Sequence, residues 1–230
     1  MNPPQPNLFD RLRWRDPLSG NSLIPIITAR TPAGVPINGA LQIEGTQQGY
    51  PIVDCVARLT VEAAHTYGEW LRPFSLTPPP MQSAAHFQSV ESVDSFGFQW
   101  SWRGKFRSFD DLCWRVATRF DRRPQEFRDL LVLDAGAGAG DQTGFLLECG
   151  ASVLSADLSQ AIDVVAKKHR LNSNWFGIQG DITALPISDG SFDLVYCEGV
   201  IQHTRDSAVT IAELLRVLHS GGTILASHYP

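Results

Sequence analysis

Ten residues in the middle of the chain, Leu131-Val132-Leu133-Asp134-Ala135-Gly136-Ala137-Gly138-Ala139-Gly140, pass from unbroken apolar sequence through an acid into three alternating glycines. A strand covered on both faces of a parallel sheet reads as continuous Leu and Val, and glycines directly after it let backbone approach a ligand that a Cβ would push away. The run therefore predicts a buried strand opening into a binding turn. Its spacing argues against two common occupants. A dinucleotide fingerprint needs a glycine at the sixth place counted from Gly136, and that place holds Asp141. An acid at the start of the next helix, where a pyrophosphate would sit, opposes a phosphate-rich ligand on charge. A P-loop is excluded as well, because no Gly-Lys-Ser/Thr follows.

Further strand-like segments follow, and three of them also end in acids. Ala151 to Asp157 is a short apolar run whose terminal carboxylate lies 21 residues beyond Gly136, near the offset at which such an acid accepts from ribose hydroxyls. Trp175 to Asp181 and Ser191 to Glu198 repeat the pattern, and Gly221-Gly222 introduces a final apolar run. Periodicity predicts strands near 130–134, 152–156, 175–179, 193–197 and 222–227, with helices near 141–149, 159–170 and 206–218. Ser159 is expected to cap the second helix, and Gly150 and Gly221-Gly222 to stop helices. This β-α-β alternation with right-handed crossovers gives an α/β fold, a doubly wound parallel sheet whose strand-end acids share one crevice.

These segments together resemble class I S-adenosylmethionine-dependent methyltransferases of the small-molecule branch. The resemblance rests on the acid-x-Gly-x-Gly-x-Gly turn at Asp134 to Gly140, on Asp157 and Asp181, on Ser191 to Thr204, and on Glu213 to Leu225. It implies a Rossmann-like sheet of order 3-2-1-4-5 and S-adenosyl-L-methionine as cofactor. It also implies that Asp134, Gly136, Gly138 and Gly140 form the cofactor loop, and that Asp157 and Leu158 hold the ribose. Asp181 and Ile182 would take the adenine, with Glu198 at the methyl end of the pocket. Glu198 and His203, beside Gln202, are the implied catalytic residues. Because Pro230 follows shortly after the fifth strand, strands six and seven of the family fold are expected to be missing, leaving an open edge able to pair with a second copy.

The N-terminal part reads differently. Arg13 to Leu23 and Leu41 to Asp54 resemble the two knuckles of a small zinc-ribbon module, with Asp16, Ser19, Ile43 and Thr46 standing where a metal-binding member would carry cysteines. Tetrahedral zinc needs four soft or imidazole donors, and isoleucine donates nothing, so a metal-free packing module is expected over residues 1–70. Residues 71–108 read as a linker carrying Pro78-Pro79-Pro80, followed by an aromatic alternation, Val93 to Trp102, that could cover a sulfonium or pack a seam. The methyltransferase-like domain would occupy residues 109–230, entered by an amphipathic helix from Phe109 to Phe120 whose aromatic stripe is expected in the core.

Composition sets outer limits. A net charge of −5 and 43% hydrophobic residues describe a chain with enough apolar surface for a core and no general attraction for nucleic acid. No secretory signal or membrane-length apolar run is present, and the four cysteines lack metal spacing, so a cytoplasmic chain with reduced thiols is expected. The function the methyltransferase resemblance implies is methyl transfer to a small-molecule acceptor, and composition adds no nucleic-acid or membrane partner. Two alternatives stand beside it: a catalytically inactive cofactor-binding or protein-interaction relative, and a nucleotide-dependent oxidoreductase, against which Asp141 speaks.

Overall fold

The computed structural model describes residues 7–81 and 107–227. The aromatic segment Val93 to Trp102 lies outside them. The N-terminal part holds helix α1 (Leu8–Arg11), strands β1 (Leu23–Arg30), β2 (Pro36–Ile43), β3 (Gly49–Val53) and β4 (Val56–Arg58), and helix α2 (Val61–Thr66). After helix α3 (Phe109–Phe120) come β5 (Leu131–Ala135), α4 (Asp141–Glu148), β6 (Ser152–Asp157), α5 (Ile162–His169), β7 (Trp175–Gln179), β8 (Phe192–Glu198), α6 (Ser207–Val217) and β9 (Leu218–Ser227).

All these strands form one nine-stranded sheet, ordered β1-β2-β3-β4-β7-β6-β5-β8-β9. Its last five strands are parallel and read third, second, first, fourth, fifth along the chain. Strands β5 to β7 are almost wholly buried, which is why they lack polar alternation. The sheet differs from the expected one by four further strands on the β7 side. β3 turns into β4 through Asp54 and Cys55, both with positive φ, the backbone of a two-residue hairpin whose twist suits its strands. β4 then pairs in parallel with β7, Val56 opposite Gly177 and Arg58 opposite Gln179.

The segment read as a separate ribbon thus shares a core with the parallel sheet. Phe9, Trp14 and Phe176 pack with ring centroids 4.8 to 5.8 Å apart, joining α1 to β7. Trp14 bridges to Ile187, and the Arg15 N–H donates to the Pro186 carbonyl at 3.0 Å. At the knuckle positions, hydrogen bonds close the turns. Asp16 Oδ2 accepts from the Ser19 N–H at 3.0 Å and its hydroxyl at 2.6 Å, while Thr46 Oγ1 donates to the Ile43 carbonyl at 2.9 Å. Tyr50 donates its hydroxyl to Asp16 Oδ1 at 2.7 Å.

Three local expectations change. Gly221 and Gly222 do not end α6; the helix stops at Val217 and the pair lies inside β9, where the register against β8 shifts. Gly221 takes φ +88° there, a conformation open to glycine, which lets the strand bulge and resume pairing at Thr223. Ser159 forms a turn before α5 rather than capping it, its hydroxyl accepting from the Ala161 N–H at 3.2 Å. The aromatic stripe of α3 is only partly in the core: Phe109 and Phe120 pack half-buried against it beside the buried Leu112 and Val116, whereas Trp114 is 67% exposed. All four cysteines are unpaired, and burial pushes the Cys149 and Cys197 thiols up to about 12.

Candidate functional site

A cavity of about 370 Å³ lies at the carboxyl ends of β5, β6, β7 and β8, where the sheet order reverses between β5 and β8. Its wall is made by the turn from Gly136 to Ala139, by Asp157 to Ser159, by Gly180 to Ile182 and by residues from Glu198 to Thr204. Asp141 and Gln142 close it from the start of α4, and Arg107 and Arg115 from the region of α3. Of the residues expected at the cofactor, Gly136, Gly138, Asp157, Leu158, Asp181, Ile182 and Glu198 line this one space, and so does His203.

Asp157 ties the turn together. Its Oδ2 accepts from the Gly138 N–H at 2.8 Å, and its Oδ1 accepts from the Ser159 N–H at 2.9 Å and hydroxyl at 2.6 Å. Asp181 is held by one oxygen only: Oδ1 accepts from the N–H and hydroxyl of Thr183 at 2.8 and 2.7 Å. No donor among the described residues reaches its Oδ2. Carboxylate oxygens each have room for two hydrogen bonds, so both acids keep acceptor capacity toward the cavity they line.

Two expected residues lie elsewhere. Asp134 is buried beneath the turn and does not line the cavity; its Oδ2 accepts from the Thr143 hydroxyl at 2.6 Å. Thr143 also meets Ser155 Oγ at 2.8 Å, and the Trp175 indole N–H donates to that same oxygen at 3.0 Å. Burial pushes the Asp134 carboxyl up to about 7, against the Thr143 hydrogen bond and with the nearby Asp157 charge acting in the same direction as burial. Gly140 begins α4 against the Val165 side chain, outside the cavity wall. Gly136 lines the cavity, but φ +84° and a Val200 methyl only 2.3 Å from where its Cβ would be show what demands glycine there: packing of Val200, as much as room for a ligand.

Glu198 requires a further correction. Its side chain is 3% exposed, and Oε1 accepts from the guanidinium groups of both Arg115 and Arg119. Its Oε2 accepts from the Tyr196 hydroxyl at 2.9 Å and the Gln142 amide at 3.4 Å. With both oxygens engaged, Glu198 anchors α3 to the end of β8 and has no free lone pair for a substrate proton. His203 is exposed at the rim, with the Gln202 amide 3.5 Å from its Nε2.

Residues 133–226 match the family described as Methyltransferase domain. The cofactor that goes with this domain is S-adenosylmethionine. Three curated relatives show the range of similarity. A demethylmenaquinone methyltransferase of Beutenbergia cavernae is 32% identical over 52% of this chain and 48% of its own length. A malonyl-[acyl-carrier protein] O-methyltransferase of Hamiltonella defensa is 40% identical over 42% of this chain and 36% of its own. An uncharacterized 37.1 kDa protein in transposon TN4556 of Streptomyces fradiae is 31% identical over 67% of this chain and 48% of its own. The chain spans about half, or less, of the length of these relatives.

Polar atoms at the cavity have no partner among the described residues. Asp141 Oδ1 and Gln202 Oε1 are buried acceptors, and Arg115 Nε is a buried donor. All three residues line the cavity. Buried polar atoms left unpaired are costly, so a bound group that satisfies them is favoured. The α-ammonium and α-carboxylate of the cofactor's methionyl moiety are such groups, one donating and one accepting, so the site fits S-adenosylmethionine. Sequence reasoning used Asp141 only to oppose phosphate and treated α3 as packing. The spacing of Arg115 and Arg119, one helical turn apart on a helix leading to the glycine turn, was the available signal.

Proposed function

We propose that this chain binds S-adenosylmethionine in the cavity at the strand ends and transfers its methyl group to a small-molecule acceptor entering beside His203. The observation that carries this reading is the convergence of the glycine turn, Asp157, Asp181 and Ile182 on one cavity that also presents buried acceptors with no partner among the described residues. When bound, the cofactor supplies an electrophilic methyl group on a positively charged sulfur. Asp157 offers carboxylate oxygens to a ribose diol, Asp181 Oδ2 offers an acceptor to an exocyclic adenine amine, and Ile182 gives the ring an apolar wall. Asp141 and Gln202 take the ammonium, and Arg115 Nε faces the carboxylate.

The main task left to the protein is alignment and exclusion of water, since an in-line displacement from a sulfonium quenches charge and needs no strong base. His203, exposed and adjacent to Gln202, is the group placed to orient the acceptor or to take its proton. The relatives' names specify demethylmenaquinone in one case and malonyl-[acyl-carrier protein] in another, so both are named as methyltransferases and they differ in the acceptor. The test is calorimetric titration with S-adenosylhomocysteine, followed by a metabolite screen for methylated product by mass spectrometry. Binding with turnover supports the reading; absence of binding overturns it. The full engagement of Glu198 favours a second reading, a cofactor binder without catalysis, which binding without turnover on any acceptor would select.

A further inference from the structure

Arg58 is a large charged side chain left only 2% exposed, at the strand where the N-terminal part of the sheet meets the parallel part. It is surrounded by built contacts. Its guanidinium donates to Gln179 Oε1 at 3.1 Å and to Asp163 Oδ1 at 2.7 Å, and lies 4.3 Å from the centre of the Tyr67 ring. A buried arginine paired with a single carboxylate is weak support for stability on its own, because desolvation offsets the attraction. Its arrangement points to positioning.

Gln179 has two ends. Its carbonyl oxygen takes the Arg58 hydrogen bond, which fixes which way the amide faces, and its NH₂ donates to the Leu158 carbonyl at 3.3 Å. Leu158 lines the cofactor cavity between Asp157 and Ser159. Backbone pairing supports the same place from both sides: the Leu59 N–H donates to the Gln179 carbonyl at 2.8 Å, and the Gly180 N–H to the Asp157 carbonyl at 3.0 Å. We infer that Arg58 is a positioning residue for the nucleoside end of the site, holding the Leu158 backbone through Gln179 so that the 157–159 turn is set before ligand arrives. The inference rests on the cofactor reading above, and it gives the N-terminal strands a part in cofactor binding without any contact to the ligand. A polar relay on rigid strands is the kind of support that keeps a binding turn from drifting.

The decisive variant is Gln179→Glu in the full chain. It keeps an acceptor for Arg58, so the buried guanidinium stays paired, but it replaces the donor facing the Leu158 carbonyl by an oxygen. Affinities for S-adenosylhomocysteine and for 5′-methylthioadenosine, which lacks the amino-acid end, are measured by calorimetry for wild type, Gln179→Glu and Arg58→Met. Expected is a loss of about three- to tenfold, the range of one hydrogen bond, equal for both ligands, with the Gln179→Glu melting temperature close to that of wild type. Wild-type affinity in Gln179→Glu would overturn the inference while leaving the cofactor reading intact. A loss confined to S-adenosylhomocysteine would overturn it too, since the relay would then act at the amino-acid end. Failure of the wild type to bind either ligand would overturn both.

Discussion

The Gly138 N–H donates to Asp157 Oδ2 at 2.8 Å, so the turn that follows β5 and the acid that ends β6 are one hydrogen-bonded unit. The other oxygen of Asp157 holds Ser159. One carboxylate therefore shapes two of the loops around the cavity as well as facing the site.

Replacing Asp157 tests both duties. Asp157→Ala is expected to weaken S-adenosylhomocysteine binding by at least about tenfold, roughly 1.4 kcal/mol, and to lower the melting temperature because two backbone donors lose their acceptor. Asp157→Asn, which retains one acceptor oxygen, should bind more tightly than the alanine variant. Unchanged affinity in Asp157→Ala, read by calorimetry, would count against the ribose assignment.

Gly136 and Val200 are coupled sterically. Gly136→Ala places a Cβ 2.3 Å from a Val200 methyl at φ +84°. The variant should be destabilised through both backbone strain, about 1 kcal/mol, and the clash. In a double-mutant cycle, Val200→Ala should relieve the clash and leave the strain, giving a coupling of roughly 0.5–3 kcal/mol in urea unfolding. Strict additivity would show that the two side chains do not compete for this space.

Asp134 makes stability depend on pH with a definite sign. Burial raises its folded-state pKa to about 7, above the ordinary carboxylate value near 4, so the folded chain binds the proton more tightly than the unfolded one. Its contribution is full below about pH 4 and is lost as pH rises through about 7. Asp134→Asn should flatten that fall, changing the slope by up to about 1.4 kcal/mol per pH unit between those limits whatever its constant offset. Parallel curves of unfolding free energy against pH for the two proteins would contradict this.

Glu198 separates an anchor from a base. Glu198→Gln removes the charge that holds Arg115 and Arg119 and should lower stability by about 1–3 kcal/mol, with α3 exchanging amide hydrogens faster. Should turnover collapse with stability and cofactor affinity untouched, Glu198 would be acting on the acceptor instead.

The elements from β5 to β9 were legible because their signals are local. A buried parallel strand is a run of apolar residues, a turn after it needs glycine, and a helix shows its period within a dozen residues. The cavity wall followed, since acids at the ends of successive parallel strands face one crevice. Asp134 was misplaced, and Glu198 was given the wrong role at the right place, because a carboxylate near a strand end looks the same in sequence whether it faces a ligand, caps a buried threonine or pairs with two arginines. The Gly221-Gly222 pair was misread because a helix stop and a strand bulge both require a left-handed residue.

From the amino-acid order alone come the glycine turn and the parallel strands, properties of residues close in the chain, while the donor class came from the family resemblance those segments carry. The union of β4 with β7 brings Arg58 to Gln179 across 121 positions, and no pattern in either segment announces it. That pairing, the filling of the Gly136 position by Val200 and the saturation of Glu198 depend on which distant groups meet in space. Such meetings are settled by packing of the whole sheet, because only there do burial and hydrogen-bond satisfaction decide which partner each side chain takes.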